Sequence, residues 1–270
     1  MFEIKSVSKT FNSGTPEELR ALNNVSLSVG EGSFTVILGG NGSGKSTLLN
    51  MVAGAFFPDA GKISMDGKDI TRWPEYKRAS FMGRVFQNPF TGTAPDMTIA
   101  ENFALAARRG QNRGLGWALS RSVREDIRAR VVELGLGLED RLDAQVGMLS
   151  GGQRQALTLL MATWQKPRLL LLDEHTAALD PKSSDRLILL TRNIIEREKL
   201  TVLMVTHSMQ QAIRLGNRLI MLHHGEIVSD FSGAEKRRLQ ADELLNLFDE
   251  LRKSDQLDAS AAEMIQALYV

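Results

Sequence analysis

The residues with the clearest chemical potential form a glycine-rich loop near the start of the chain. The stretch from Gly39 to Ser46 fits the phosphate-binding pattern G-x-x-x-x-G-K-[ST] without a gap. Glycine lets the backbone curve closely around an anion, so that successive N–H groups point at phosphate oxygens. Lys45 supplies a cation to the phosphates, and the Ser46 hydroxyl is a ligand for Mg²⁺. The residues expected to bind nucleotide here are Gly39, Gly40, Asn41, Gly42, Ser43, Gly44, Lys45, Ser46 and Thr47.

A pair of carboxylates follows an apolar run in the second half of the chain. Asp173 and Glu174 come directly after Leu169–Leu172, at the carboxyl end of a predicted strand, where open α/β sheets place their ligands. Alone, the pair is typical of an acidic turn. Together with a phosphate loop it predicts a hydrolytic site, in which Asp173 holds Mg²⁺ and Glu174 accepts a proton from the attacking water.

A parallel sheet is needed to bring these two segments together. Phe34–Leu38 is a nearly continuous apolar run before the loop, as in a strand buried on both faces. Ser46–Ala53 after it has helical periodicity. The runs Leu169–Leu172 and Thr201–Val205 flank a helical stretch, Ser183–Glu198, which is the strand–helix–strand pattern of a parallel sheet.

Other segments predict a second sheet and a helical insertion. Ile63–Met65 and Lys68–Ile70 flank Asp66-Gly67, which is a strong hairpin signal. From Thr98 to about Lys166 the pattern is helical, with breaks at 110–116 and 135–137, which predicts an inserted helical subdomain over about 90–166. We therefore expect an α/β fold with a mostly parallel core sheet, an N-terminal antiparallel β subdomain and an inserted α-helical subdomain. We expect residues 1–232 to form its main domain, and residues 233–270 to form a C-terminal extension of two helices with a break near Ser254.

One short segment distinguishes among the families of proteins that contain a phosphate-binding loop. Leu149–Gln155, with the sequence LSGGQRQ, resembles the signature of ATP-binding cassette (ABC) ATPases, which are P-loop NTPases. In the same order, Gln87 resembles the Q-loop glutamine, Asp180 the D-loop aspartate and His207 the switch histidine. Phe11 matches the aromatic position that stacks on adenine. The resemblance covers about residues 2–230. Taken singly, Gln87, His207 and Phe11 fit a surface loop, a strand end and ordinary packing.

The resemblance implies a division of roles between two copies of the chain. ATP and Mg²⁺ are the expected cofactors, with the metal held by Ser46, Gln87 and Asp173. Lys45, Glu174 and His207 are the expected catalytic residues. A second copy is expected to complete the nucleotide site with its signature and its D-loop aspartate, namely Ser150, Gly151, Gly152, Gln153 and Asp180.

Three positions depart from the family pattern or stand outside it. His175 occupies a position where the family usually has proline, so it either tunes the neighbouring carboxylate or simply fits the turn. Gly40 stands where proline or serine is more usual. His223 and His224 suggest a metal, but no third ligand is near them in sequence, so we expect a solvated hairpin turn.

Composition limits the classes of partner. The chain has 270 residues, and 33 Lys and Arg against 32 Asp and Glu give a net charge of +1, which disfavours a nucleic-acid partner. The absence of cysteine excludes disulfides and cysteine-ligated metal centres. No apolar run approaches the roughly 20 residues that cross a bilayer, and the N-terminus lacks a secretory pattern. We expect a cytoplasmic protein.

The resemblance also implies membrane partners. Separate transmembrane permease subunits are expected to dock on residues 88–102 and to hold the chain at the inner face of the membrane. The stretch Asn88–Pro95 and the Asp-Glu-His variant resemble cassettes of amino-acid importers, with aromatic amino acids as cargo and a substrate-binding protein as a further partner. The start of the chain, from Phe11 through Ala21–Val25, also resembles cassettes of lipoprotein-releasing and macrolide-type exporters, so export is the alternative. Non-membrane ABC ATPases, which carry long coiled coils or tandem cassettes, fit less well.

Overall fold

The computed structural model describes residues 1–110, 119–251, 253 and 255. Its larger sheet has six strands in the order β10-β9-β3-β8-β7-β6. The neighbours from β9 to β6 are parallel, and β10 pairs antiparallel with β9. The strands are β3 (Phe34–Leu38), β6 (Met82–Val85), β7 (Leu169–Asp173), β8 (Val202–Thr206), β9 (Arg218–His223) and β10 (Glu226–Ser232).

The parallel pairing brings the chemically important strand ends to one edge. Leu38 at the end of β3 pairs with Thr206 at the end of β8. Asp173 at the end of β7 pairs with Val205, and Val85 at the end of β6 pairs with Leu172. The segments that leave β3, β6, β7 and β8 therefore begin beside one another, although they are far apart in sequence.

The second sheet is antiparallel, with the order β2-β1-β4-β5. Its strands are β1 (Phe2–Phe11), β2 (Leu19–Val29), β4 (Ala60–Met65) and β5 (Lys68–Asp69). The hairpin predicted around Asp66-Gly67 is present between β4 and β5. The apolar residues of this sheet pack, together with one face of the parallel sheet, around α1 (Lys45–Ala53).

A buried arginine joins α1 to the segment that follows β5. Arg78, at the end of the short helix α2 (Glu75–Arg78), has no exposed surface, and burial lowers its pKa to about 10, so it stays charged at neutral pH. Its guanidinium donates to five backbone carbonyls, those of Met51, Val52, Ile70, Thr71 and Trp73. Two of these acceptors lie in the last turn of α1, so the arginine caps the helix that follows the phosphate loop.

Helices fill the interval between β6 and β7, as predicted. They are α3 (Ile99–Ala107), α4 (Arg121–Val131) and α5 (Gly151–Thr163), with two short 3-10 helices at Val132–Leu134 and Val146–Met148. The predicted break at 110–116 falls mostly outside the described residues. The break at Gly135 and Gly137 is present, because both glycines have positive φ, at 60° and 65°. Thr98 and Glu101 form a capping box that starts α3.

The remaining helices are α6 (Pro181–Glu198), α7 (Met209–Arg214) and α8 (Gly233–Arg238), followed by a helical stretch at 241–251. The first break in the C-terminal extension lies at 239–240, whereas we predicted it near Ser254, which is outside the described residues. Leu239 leaves the helical region and is buried, and the Gln240 N–H donates to the Glu243 side chain, which starts a new helix.

Among the described residues, no helix is long and apolar enough to cross a membrane.

Three short elements, β6, α2 and α7, were missing from the sequence prediction. Strand β6 has only four residues and contains Gly83 and Arg84, so it shows no apolar run. Helix α2 is also only four residues long. Tertiary pairing with β7 defines β6, which matters here because Arg84 lies beside the candidate site.

Candidate functional site

The phosphate loop connects β3 to α1 in a conformation that requires glycine at particular positions. Gly42 and Gly44 have φ values of 77° and 100°, in the left-handed region. A Cβ atom on Gly39 would lie 2.4 Å from the Leu222 carbonyl oxygen, so a side chain does not fit there. Gly40 has open space around the corresponding position, and its departure from the family pattern therefore has no steric consequence.

Lys45 is held inside this loop. Its Nζ donates to the carbonyls of Gly39 at 2.9 Å and Gly40 at 2.8 Å. Burial lowers the pKa of the Lys45 ammonium, and the nearby carboxylates of Glu174 and Asp173 oppose that shift. The ammonium therefore lies at the start of α1, where free N–H groups and the helix dipole also favour binding of an anion.

Asp173, one of the predicted metal ligands, contacts Arg84, a residue that was not predicted to belong to the site. Arg84 on β6 donates to Asp173 Oδ2 at 3.3 Å and to Asn50 Oδ1 on α1 at 2.7 Å. Its guanidinium lies 4.4 Å from the centre of the Phe86 ring. Burial raises the pKa of the Asp173 carboxyl, and Arg84 opposes this. No sequence signal pointed to this pair, because the four residues of β6 show no apolar run and the strand was not predicted.

Two predicted site residues, Gln87 and His207, contact one carboxylate oxygen of a third, Glu174. Gln87 Nε2 donates to Glu174 Oε2 at 3.2 Å, and His207 Nδ1 lies 3.0 Å from the same oxygen. They follow β6, β7 and β8 respectively. Glu174 has a φ of 40°, an unfavourable conformation for a residue with a side chain, and its N–H donates to the Val205 carbonyl. The carboxylate is therefore fixed at the carboxyl ends of the strands.

His175 points away from this site. Its side chain is almost completely buried, and Nε2 lies 3.1 Å from Thr191 Oγ1 on α6. Burial lowers the pKa of the imidazole to about 4, so the ring is neutral at physiological pH. Of the two interpretations, the geometry favours a residue that fills the core beneath the turn over one that tunes Glu174.

The signature forms the start of α5. Ser150 is exposed and caps the helix, accepting from Gln153 N at 3.3 Å, while its own N–H donates to the Gln153 side chain at 3.1 Å. A Cβ on Gly152 would lie 3.1 Å from Ser183 Cβ on α6, so the glycine permits close packing of the two helix starts. The exposed N-terminus of α5 is suited to bind an anion that comes from outside the chain.

The D-loop aspartate also serves as a helix cap. Asp180 Oδ1 accepts from Ser183 N at 3.0 Å, and Pro181 takes the first helical position of α6. The hydrogen bond from Ser183 lowers the pKa of the Asp180 carboxyl. In the described part of the chain, no hydrogen bond joins Asp180 or the signature to the phosphate loop. Their contact with nucleotide stays a prediction.

Phe11 lies at the end of β1, half-buried. Its ring packs edge-on against Phe56, with ring centres 5.4 Å apart, and Lys9 Nζ lies 5.4 Å from its centre. Stacking on adenine stays a prediction.

The oxygen donors at this edge of the sheet fit a hard divalent cation. The Ser46 hydroxyl is exposed at the start of α1, and the Asp173 carboxylate and the Gln87 amide lie at the ends of β7 and β6. Hydroxyl, carboxylate and amide oxygens are the donors that Mg²⁺ prefers. Lys45 and Arg84 add positive charge beside these oxygen donors. This charge favours the anionic phosphate groups of a metal–polyphosphate complex.

The sequence pattern of the ABC transporter family matches residues 22–177, a range that includes the phosphate loop, the signature and the acidic pair. The chain belongs to this family. It is 43% identical over 249 residues to the tyrosine transport ATP-binding protein of Clostridioides difficile strain R20291, covering 92% of this chain and 99% of the relative. It is 37% identical over 234 residues to the lipoprotein-releasing system ATP-binding protein LolD 1 of Caulobacter vibrioides, covering 85% and 95%.

Solved structures of ABC cassettes have the same fold. A dimeric ATP-binding cassette in a post-hydrolysis state, bound to ADP and Pi, superposes with a TM-score of 0.73 at 31% identity. The match covers 86% of this chain and 98% of that one. A cassette in its ADP conformation has a TM-score of 0.74 at 24% identity, which supports the fold alone. The chain is an ATP-binding subunit of the ABC type, and ATP hydrolysis is the activity of its family.

Proposed function

We propose that two copies of this chain enclose two ATP molecules between them and hydrolyse ATP to drive transport. The observation that carries the proposal is the meeting of Gln87, Glu174 and His207 at one carboxylate oxygen. In each site the phosphate loop of one copy faces Ser150 of the other, which supplies its hydroxyl and the free N–H groups of α5. Asp180 reaches across the same interface.

Each residue of the site has a distinct role in this proposal. Lys45 leaves the loop carbonyls and binds the β- and γ-phosphates. Glu174 orients the attacking water and takes its proton, while His207 contacts the γ-phosphate. Phe11 stacks on adenine. Loss of the γ-phosphate removes the contacts that hold the two copies together, so hydrolysis opens the dimer.

Mg²⁺ is the proposed metal, held by Ser46, Gln87 and Asp173. When bound there, Mg²⁺ would supply positive charge that offsets the charge developing on the phosphates. Arg84 keeps the buried Asp173 carboxylate oriented toward α1 before nucleotide binds, because it also donates to Asn50.

Dimer formation is the decisive test. Glu174→Gln is expected to keep ATP binding and to trap the closed dimer, which mass photometry or sedimentation measures with Mg–ATP. The same variant with Ser150→Arg, whose side chain fills the expected γ-phosphate contact, is the matched control and is expected to stay monomeric. The proposal fails if the stalled variant remains monomeric beside its membrane subunits, or if the Ser150 change has no effect.

The membrane partners are the second element of the proposal. Residues 1–232 form the cassette and residues 233–270 an extension, with the cassette attached to the cytoplasmic face of the membrane through permease subunits. A cleft of about 940 Å³ lies between α2, α3 and α5, lined by residues that include Tyr76 and Leu105. These two side chains are 72% and 57% exposed. A cytoplasmic helix of a permease fits a cleft with such an apolar rim.

The docking site is tested by co-purification with the permease. Leu105→Glu is expected to abolish co-purification and to leave the ATPase activity of the separate subunit unchanged. Val132→Glu is the matched control, since Val132 is 50% exposed on the helical insertion outside the cleft. Equal behaviour of the two variants contradicts docking in the cleft.

The proposed cargo is an amino acid, imported with a substrate-binding protein. The relative named for tyrosine transport, at 43% identity over almost its full length, supports this. The LolD relative, at 37% identity, supports lipoprotein release as the second candidate. Uptake of labelled tyrosine by cells with and without this subunit distinguishes them, because an exporter cassette leaves uptake unchanged.

A further inference from the structure

Two adjacent histidines and a distant aspartate form a cluster outside the ATP site. His223 Nε2 lies 3.1 Å, and His224 Nε2 3.0 Å, from the same oxygen, Asp255 Oδ1. The three ligand atoms all lie within 4.8 Å of one another. From the sequence we expected a solvated turn, because no third ligand was near the two histidines along the chain. The fold brings Asp255 from the C-terminal helix to the β9–β10 turn.

The conformation of the turn makes both imidazoles face the same point. Successive side chains along a strand normally point to opposite faces. Here His224 and Gly225 both have positive φ, at 44° and 77°, as in a two-residue type I′ hairpin turn. The alternation ends at the turn, and the two imidazole centres lie 4.2 Å apart. Asn, Asp or Gly is the ordinary residue at the position of His224, where a histidine is strained.

We propose that His223, His224 and Asp255 bind a divalent transition-metal ion, with Zn²⁺ as the representative. Imidazole nitrogens and a carboxylate oxygen form a ligand set that such ions prefer. A tetrahedral Zn²⁺ site with bonds near 2.0–2.1 Å places its ligand atoms about 3.3 Å apart. The two nitrogen-to-oxygen distances, 3.1 and 3.0 Å, are close to that spacing.

The surroundings of the cluster suit a cation. The His224 side chain is 71% exposed and the Asp255 side chain 40%, so water can enter and complete the coordination.

The position of the turn gives the ion a structural consequence. The Gly225 N–H donates to the carbonyl of Ser43 in the phosphate loop at 3.0 Å. The Gly225 carbonyl in turn accepts from the Asn23 N–H at 2.9 Å. An ion bound by His224 and Asp255 therefore fastens the C-terminal helix to the turn that supports the phosphate loop.

Calorimetric titration of the full-length, nucleotide-free chain with Zn²⁺ tests the site. His207→Ala is the background, because it removes the imidazole that lies 3.0 Å from Glu174 in the ATP site and would compete for Zn²⁺. In this background we expect one Zn²⁺ per chain. Adding Asp255→Asn is expected to weaken binding at least about 100-fold, since loss of an outer-shell partner already costs 10–100-fold.

Asp249→Asn is the matched control for charge and for the C-terminal helix, because Asp249 is exposed and outside the cluster. It is expected to keep the parent affinity. His224→Ala is a second variant, expected to weaken Zn²⁺ binding and to change the visible spectrum of the Co²⁺-loaded chain. Equal Zn²⁺ affinity of the Asp255 and Asp249 variants, or no saturable binding in the parent, reduces the cluster to a hydrogen-bonded tether and overturns the proposal.

Discussion

The phosphate-loop side of the proposed ATP site and the signature side are built in different ways. On the first side, Lys45 and Asp173 are largely buried, and Glu174 is held by side chains that follow two other strands. On the second side, Ser150 and Asp180 are exposed and cap their own helices through residues three positions away.

This contrast indicates what each of the two copies contributes to one proposed ATP site. Buried charges need partners within the chain, so the phosphate-loop side is organised before nucleotide arrives. Local caps satisfy only part of a helix N-terminus, so the signature side keeps free N–H groups that an external anion can bind. In the proposed dimer, the phosphate-loop side is a preformed catalytic site, and the signature side of the other copy completes it.

The largest expected effect comes from Glu174→Gln, which breaks the preformed side. Turnover is expected to fall by about 10²–10⁴ because the general base is lost, while the affinity for ATP is kept. Steady-state ATPase assays and nucleotide titration measure the two quantities. Near-normal turnover would remove Glu174 from its proposed role.

A smaller effect is expected from Ser150→Ala, which tests the other side. Loss of one donor to the γ-phosphate is expected to reduce turnover by about 10², with unchanged ATP affinity of the separate chain. Ser120→Ala is the control, because Ser120 caps α4 in the same way, accepting from Val123 N at 3.3 Å. Each variant loses about 1 kcal/mol of capping stability. If the two variants have equal turnover, the signature serine acts only as a cap.

Arg84→Gln tests whether the stability of the phosphate-loop side depends on the charge pair between Arg84 and Asp173. It is expected to lower the free energy of unfolding by about 3 kcal/mol, because Asp173 then remains buried without its cation. Urea unfolding without nucleotide or metal measures this. Arg124→Gln, which removes an exposed pair with Asp143, should have a smaller effect. Added Mg–ATP should recover more stability in Arg84→Gln than in the parent chain. Equal loss in the two arginine variants contradicts the argument.

His175 predicts a pH dependence of stability. Its pKa is lowered from 6.5 to about 4 in the folded state, so below pH 6.5 the unfolded chain binds a proton that the folded chain does not. Stability from this group is full above pH 6.5 and is lost as the pH falls toward 4. At pH 5 the loss is about 2 kcal/mol. His175→Leu should remove that part of the profile, as measured by urea unfolding at each pH. Parallel profiles for the two proteins would show that His175 does not cause it.

Much of the site could be predicted from the sequence, because its motifs are continuous. The phosphate loop depends on glycines with positive φ such as Gly44, and the capping box of Ser150 spans four residues. The apolar runs before the loop and before Asp173 predicted strands β3 and β7, which the structure contains. Backbone conformation over such short distances follows from the residue types themselves.

Other features depended on tertiary packing. The sequence gives no sign that Arg84 reaches Asp173, that His175 turns toward Thr191 in the core, or that Asp255 meets the two histidines of the β9–β10 turn. Each contact joins segments that are distant along the chain or depends on which side of the backbone a side chain leaves. Residue order determined the local motifs and the family. Only the packing of helices on the two sheets decided which charged and polar side chains meet, because a buried charge is stable only where the fold places a partner beside it.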